Sequence, residues 1–222
     1  MTRMIGAVTV GQSPRDDVVP EIVSELRGDM RVLQCGALDR FTADELQPQA
    51  PGCWDTTLVT RMRDGEEVRV KRSFVVPLLA DCVRSLESRV DLIALLCTDP
   101  FRELTSSKPL LSPGRLFPEM VAELRVDRLG VLVPAEAQVD AQCEKWSDLV
   151  PEVFIQAASP YGDEQRVGAA AESLSHANVD LVVMNCIGYT KAMKRAVQSM
   201  VRCPVLLASE TVARAAGEVL GG

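Results

Sequence analysis

Short apolar runs of strand length recur along the chain, at residues 4–10, 31–35, 91–96, 129–133, 153–157, 180–185 and 204–208. Most are apolar at every position rather than at alternate ones. That pattern is expected of strands buried on both faces of a parallel sheet. Between them lie stretches that read as helices, at 16–26, 74–86, 118–124, 164–175, 191–200 and 211–220. The alternation predicts an α/β chain. One segment departs from it: two alternating stretches, 58–63 and 66–71, flank Asp64-Gly65, a strong signal for a β-hairpin. Residues 39–72 therefore read as an insertion in the first half, packing as a flap or an interface element.

The chain also repeats itself. Val90-Asp91-Leu92 and Cys97 have counterparts in Val179-Asp180-Leu181 and Cys186, with conservative changes between. A fainter echo pairs Ile5-Gly6-Ala7-Val8 with Leu129-Gly130-Val131-Leu132. Two βαβ units of similar build account for both echoes. The expected architecture is two pseudo-symmetric Rossmann-like lobes, each with a parallel sheet, and an active-site crevice between them. The first lobe takes residues 1–117 and carries the hairpin; the second takes 118–222, and its last helix is free to pack on the first.

Composition narrows the function. Of 222 residues 47% are hydrophobic, so a substantial core can form, and 24 Lys and Arg against 31 Asp and Glu leave a net charge of −7. There is no block of basic residues, and nucleic-acid binding is not expected. The apolar runs fall far short of the ~18 residues of a membrane-spanning helix, and nothing near the start reads as a signal peptide. A cytoplasmic location is expected. Seven cysteines at irregular spacing, without a Cys-x-x-Cys pair, and the single histidine His176 make a metal site or a disulfide framework unexpected. Glycine-rich nucleotide loops, nucleophile elbows and zinc-protease motifs are absent from the sequence, which points to chemistry without a cofactor.

The residues left to carry it cluster at strand ends. Cys97 and Cys186 each close a predicted buried strand just before a predicted helix start. In open α/β sheets the ligand crevice lies outside those ends, and a helix N-terminus there lowers a thiol's pKa. Facing one another across a crevice, one thiolate takes a proton from a substrate carbon while the opposite thiol returns one. The alternative is that both simply pack, as buried cysteines commonly do. The other five, Cys35, Cys53, Cys82, Cys143 and Cys203, read as core or surface residues. After the first strand, Ser13, Pro14 and the aspartates that follow form a helix-start signature. Arg15 does not fit it, since a cation in the first turn opposes the helix dipole. It calls for an anion, either Asp16 or Asp17 or a substrate carboxylate. Thr9, Gln12 and Ser13 would line the same crevice, as would Thr98, Asp99, Asn185, Gly188 and Tyr189 beside the two cysteines.

With Thr9-Val10-Gly11-Gln12-Ser13-Pro14-Arg15, Ser112-Pro113-Gly114-Arg115-Leu116-Phe117-Pro118, Gly130-Val131-Leu132-Val133-Pro134 and the segment 180–188, the chain resembles the aspartate/glutamate/hydantoin racemase superfamily and, within it, the AroM family. The resemblance covers essentially the whole chain. It implies two pseudo-symmetric lobes, no cofactor, a small-molecule substrate carrying a carboxylate or carbonyl, a homodimer, and two cysteines as acid and base on opposite faces of a chiral carbon. Cys97 and Cys186 stand where those cysteines would be. Racemases follow them with Asn-Thr and Thr-His, where this chain has Thr98-Asp99 and Ile187-Gly188, implying a substrate other than aspartate or glutamate. The expected activity is that of a cofactor-independent racemase or epimerase of an amino acid or a hydantoin-like derivative. A cysteine-dependent cis/trans isomerase or decarboxylase is the near alternative, and a binding or regulatory protein on the same fold the distant one.

Overall fold

The computed structural model describes residues 2–26 and 29–221. The first lobe runs β1 (Arg3–Thr9), α1 (Val19–Glu25), β2 (Met30–Gly36), α2 (Ala43–Leu46), β3 (Thr57–Arg61), β4 (Glu67–Lys71), α3 (Arg72–Leu86), β5 (Leu92–Leu96) and β6 (Leu110–Leu111). The second follows helix α4 (Pro113–Leu124) with β7 (Arg128–Val133), α5 (Val139–Ser147), β8 (Glu152–Ala157), α6 (Glu164–His176), β9 (Leu181–Met184), α7 (Lys191–Met200), β10 (Val205–Leu207) and α8 (Ala208–Leu220). Two four-stranded parallel sheets result, ordered β2-β1-β5-β6 and β8-β7-β9-β10. The orders superpose strand for strand, so the two sequence echoes are the equivalent pairs β1/β7 and β5/β9. Gly6 and Gly130 occupy matching positions in them. A Cβ at either would come within 3.2 Å of a leucine on the preceding or following crossover helix, Leu86 in one lobe and Leu174 in the other.

Both faces of each sheet are buried, as the uniformly apolar runs require. Alternate strand residues, Ile5, Leu92, Ala94, Leu129, Val131 and Leu181, join α1, α4, α5 and α8 in one core shared by the lobes. Their neighbours Val8, Ile93 and Leu95 face α3, and Leu132, Val182 and Met184 face α6 and α7. Helix α8 packs against α1 and β5 of the first lobe, which locks the lobes together. Between the sheets α4 is continuous across residue 118.

The insertion forms an antiparallel hairpin with Thr57 opposite Lys71 and Arg61 opposite Glu67. Its turn is wider than a two-residue one, closed by Gly65 at φ 99° donating to the Met62 carbonyl. The hairpin is held from both lobes. The Gln12 amide donates to the Arg61 carbonyl, while Gln138 of the second lobe donates to the Thr57 carbonyl at 3.0 Å and Ser159 Oγ to the Glu67 carboxylate. It is therefore both a flap and an interface element.

Three expectations are corrected. Cys35 at the end of β2 and Cys82 on α3 are disulfide-bonded, with Cα atoms 5.6 Å apart, because α3 lies directly over that strand end. Helix α1 starts at Val19 rather than beside Ser13: the Ser13 amide and hydroxyl both bond the Asp39 carboxylate, at 2.6 and 2.7 Å, so Ser13 caps no helix. No helix follows Cys97. The chain instead turns sharply at Phe101, whose φ is 34°, and Arg115 binds the carbonyls of Pro100, Phe101 and Leu104. Among the described residues no helix is long and apolar enough to cross a membrane.

Candidate active site

Strands β5 and β9 deliver Cys97 and Cys186 to equivalent ends of the two sheets, and both line one cavity of about 380 Å³. Its other walls come from β3 of the hairpin, the loop before it, and α5. Thr98, Asp99 and Asn185 line it too. Thr98 Oγ donates to the Asn185 carbonyl at 2.9 Å, tying the two cysteine loops across the lobes.

The remaining expected ligands lie elsewhere. Gln12 donates to the carbonyls of Leu38 and Phe41 and accepts from the Arg63 amide. Its side chain is spent anchoring the insertion, just as Ser13 is spent on Asp39. Tyr189 is buried, donating to the Ala158 carbonyl at 2.6 Å. Gly188 faces Tyr161: a Cβ there would fall 2.6 Å from Cε1 of that ring. Thr9 Oγ accepts from Arg15 at 3.0 Å.

Arg15 finds its anion within the chain. The guanidinium, 2% exposed, makes a two-point contact with Asp17 at 2.8 and 2.7 Å and donates to the Tyr161 hydroxyl at 3.1 Å. Burial, the largest influence, works to lower the Arg15 pKa. The Tyr161 and Asp17 partners outweigh it, and the guanidinium is held above its ordinary value. Burial likewise works to raise Asp17, but its bonds to Arg15 leave the carboxyl below the usual range. Arg15 is thus a positioning residue that fixes Tyr161, not a free carboxylate receptor.

Tyr161 is the site residue sequence reasoning missed. It lines the cavity beside Cys186, and burial raises its phenol well above the ordinary range, so it stays a neutral donor. Nothing in the Pro160-Tyr161-Gly162 turn signals this; its partner Arg15 is 146 residues away in sequence. Arg72, the first residue of α3, clamps the loop after Cys97. Its Nε donates to Asp99 at 3.0 Å and its two terminal nitrogens to Glu103 at 2.7 and 2.8 Å. The clamp holds the loop after Cys97 and keeps the Glu103 carboxyl at about 2.

The thiols differ from the expectation of depressed pKa values. Burial pushes Cys97 up to about 12, with the Asp99 charge adding to it and the Asp99 amide and Arg15 only partly opposing. Cys186 is also raised by burial, but three features oppose this: the Gly188 amide, the Arg15 charge and the Tyr161 hydroxyl. Without a helix N-terminus behind it, Cys97 rests as a thiol. Alkylation of Cys97 should therefore be slow at neutrality and rise steadily with pH. Peptide mapping after iodoacetamide treatment should find exposed Cys53 and Cys143 modified first. Modification of Cys97 ahead of them at pH 7 would contradict this electrostatic picture.

The fold defines a class, two-lobed α/β proteins with a parallel sheet in each lobe, a fold shared with solved racemases and isomerases. Similar solved structures are the allantoin racemase from Klebsiella pneumoniae (TM-score 0.65, 12% identity, 99% of this chain and 88% of that one), the maleate isomerase Iso from Pseudomonas putida S16 (0.64, 14%, 100% and 94%) and the aspartate racemase of Picrophilus torridus (0.59, 14%, 99% and 94%). No curated protein sequence matches the chain. This chain belongs to the AroM protein family, whose model matches residues 5–220.

Proposed function

We propose that the protein is a cofactor-independent racemase or epimerase of an amino acid or a cyclic derivative of one, working by proton transfer between two cysteines. The observation that carries this reading is that Cys97 and Cys186 open into one cavity from pseudo-equivalent strand ends. With substrate between them, the Cys186 thiolate takes the proton from the stereocentre. The electron pair passes into the adjacent carbonyl, and Cys97 gives its proton to the opposite face. Inversion leaves Cys186 as thiol and Cys97 as thiolate, and the reverse reaction uses the roles exchanged. The asymmetry in thiol environment supports Cys186 as the resting base and Cys97 as the resting acid. Tyr161 assists by donating to the Cys186 sulfur.

That asymmetry also favours a second reading, in which Cys97 acts only as proton donor in a decarboxylation or cis/trans isomerisation. Chiral chromatography of single-enantiomer amino acids and hydantoins incubated with the protein separates the two. Inversion supports the racemase; retained optical purity across the panel sinks it. Tyr161→Phe should fold normally yet lower kcat about 10- to 100-fold with little change in KM, and should move the pH profile of Cys186 alkylation upward. An unchanged profile would remove Tyr161 from the mechanism.

A further inference from the structure

Gln142 of helix α5 and Gln138, which immediately precedes that helix, contribute to the cavity wall together with Asn185. The orientation of all three amides is forced by partners that cannot reverse. The Trp146 indole N–H, only ever a donor, gives its hydrogen to Gln142 Oε1 at 3.0 Å. That fixes Gln142, so Asn185 must present its Nδ2 to the same oxygen, at 2.9 Å. Asn185 Oδ1 is left enclosed with no partner among the described residues. Gln138 gives its Nε2 to the Thr57 carbonyl, only ever an acceptor, at 3.0 Å, and its Oε1 is likewise enclosed and unpartnered. Two residues of the wall therefore each hold a shielded acceptor that is costly while unpaired and that a donor brought by a ligand would relieve.

The charges agree. Asp55, Asp99 and Asp140 line the cavity, and among the described residues no Lys, Arg or His does. The neighbouring cations are committed, Arg15 to Asp17 and Arg72 to Asp99 and Glu103. Lys145, one turn beyond Gln142, has a buried Nζ near Asp99 and Cys97 that pairs with neither, and burial lowers its pKa. A dianion entering this cavity meets three aspartates, with Lys145 as the nearby cation that has no hydrogen-bond partner among the described residues.

We infer that the cavity selects a neutral or cationic ligand offering N–H donors over a dicarboxylate, with Asn185 and Gln138 as the acceptors and the Trp146–Gln142 pair as the positioning residues that hold Asn185 in its accepting orientation. The inference rests on reading this cavity as the substrate site. Its test needs no turnover: ligand-observed NMR titrations of the full chain with ethyleneurea, its N,N′-dimethyl derivative and succinate. Ethyleneurea should bind at least about tenfold more tightly than either of the others. Gln142→Met, which frees the Asn185 amide to turn but leaves Gln138 in place, should reduce the preference for N–H over N-methyl. Gln142→Glu, which still accepts from both Trp146 and Asn185, should keep it. A near-native melting temperature in both variants separates this from loss of fold. Equal binding of the two ureas, tighter binding of succinate, no binding of ethyleneurea, or an unchanged preference in folded Gln142→Met overturns the inference. N–H selectivity without any racemisation would leave it standing and remove the proposed activity. Racemisation of a dicarboxylic amino acid would do the reverse.

Discussion

Arg15→Met is expected to destabilise the protein by about 3–5 kcal/mol, the range for removing one partner of a buried ion pair. Methionine keeps the volume of the stem but leaves Asp17, whose side chain is 16% exposed, with the more distant and more exposed Arg61 at 3.8 Å, and takes away the donor to Thr9 and Tyr161. For a chain of this size that is a fall of about 6–20 °C in melting temperature, readable by calorimetry. The pH dependence adds a sign. The folded Asp17 carboxyl is held low, so its contribution is full above the unfolded carboxyl value of about 3.9 and is lost as pH falls through the lower folded value. Melting temperatures measured from pH 6 to pH 2 should therefore drop in the wild type below pH 4. In Arg15→Met this part of the acid loss should vanish. A variant as stable as wild type would show that the guanidinium contributes nothing net.

The second large effect is on turnover. In Cys97→Ala and in Cys186→Ala, inversion of the substrate should fall at least about 10³-fold, since each removes a group that must carry a proton in the transition state. Cys186 belongs to the second lobe's core and Cys97 packs against the first lobe's, but each substitution removes a single heavy atom, so melting temperatures should change by only a few degrees. The two variants should also differ from one another. Cys97→Ala keeps the better supported base, and should still wash the α-proton of one enantiomer into solvent without inverting it. Chiral chromatography and isotope ratios read inversion and exchange separately. Full inversion in either single variant would exclude a two-thiol mechanism.

Much of the fold was legible because burial on both faces leaves an unmistakable mark, uniformly apolar strands, and because the repeat doubles it. The hairpin was legible from alternation around Asp64-Gly65. The site was legible where a residue's place in a strand decides its position, as with Cys97, Thr98, Asn185 and Cys186. It was not legible where position depends on contacts distant in sequence. Tyr161 reaches the cavity because Arg15 holds it, and Gly188 is small because Tyr161 lies across it. Gln12 and Ser13 follow a strand end as a ligand-binding loop would, yet Asp39, Arg63 and the insertion's carbonyls take up their polar atoms. Helix α5 was hidden by its polar surface, although it supplies the wall that faces both thiols. The expected helix after Cys97 was a misreading of Thr98-Asp99-Pro100: Asp99 turns its carboxylate to Arg72 and the Phe101 amide and begins a turn instead. Cys35 and Cys82 lie 47 residues apart, and only the packing of α3 on β2 brings them together.

The most direct test of the central claim is proton NMR in deuterated water, with the wild type and the Cys97→Ala/Cys186→Ala double variant each added to a panel of single-enantiomer amino acids, their amides and cyclic ureides. If the two thiols carry the proton, the α-proton signal of at least one compound disappears with the wild type and persists with the double variant. Loss of that signal at the same rate in both, or its persistence across the whole panel with the wild type, would contradict proton transfer between Cys97 and Cys186.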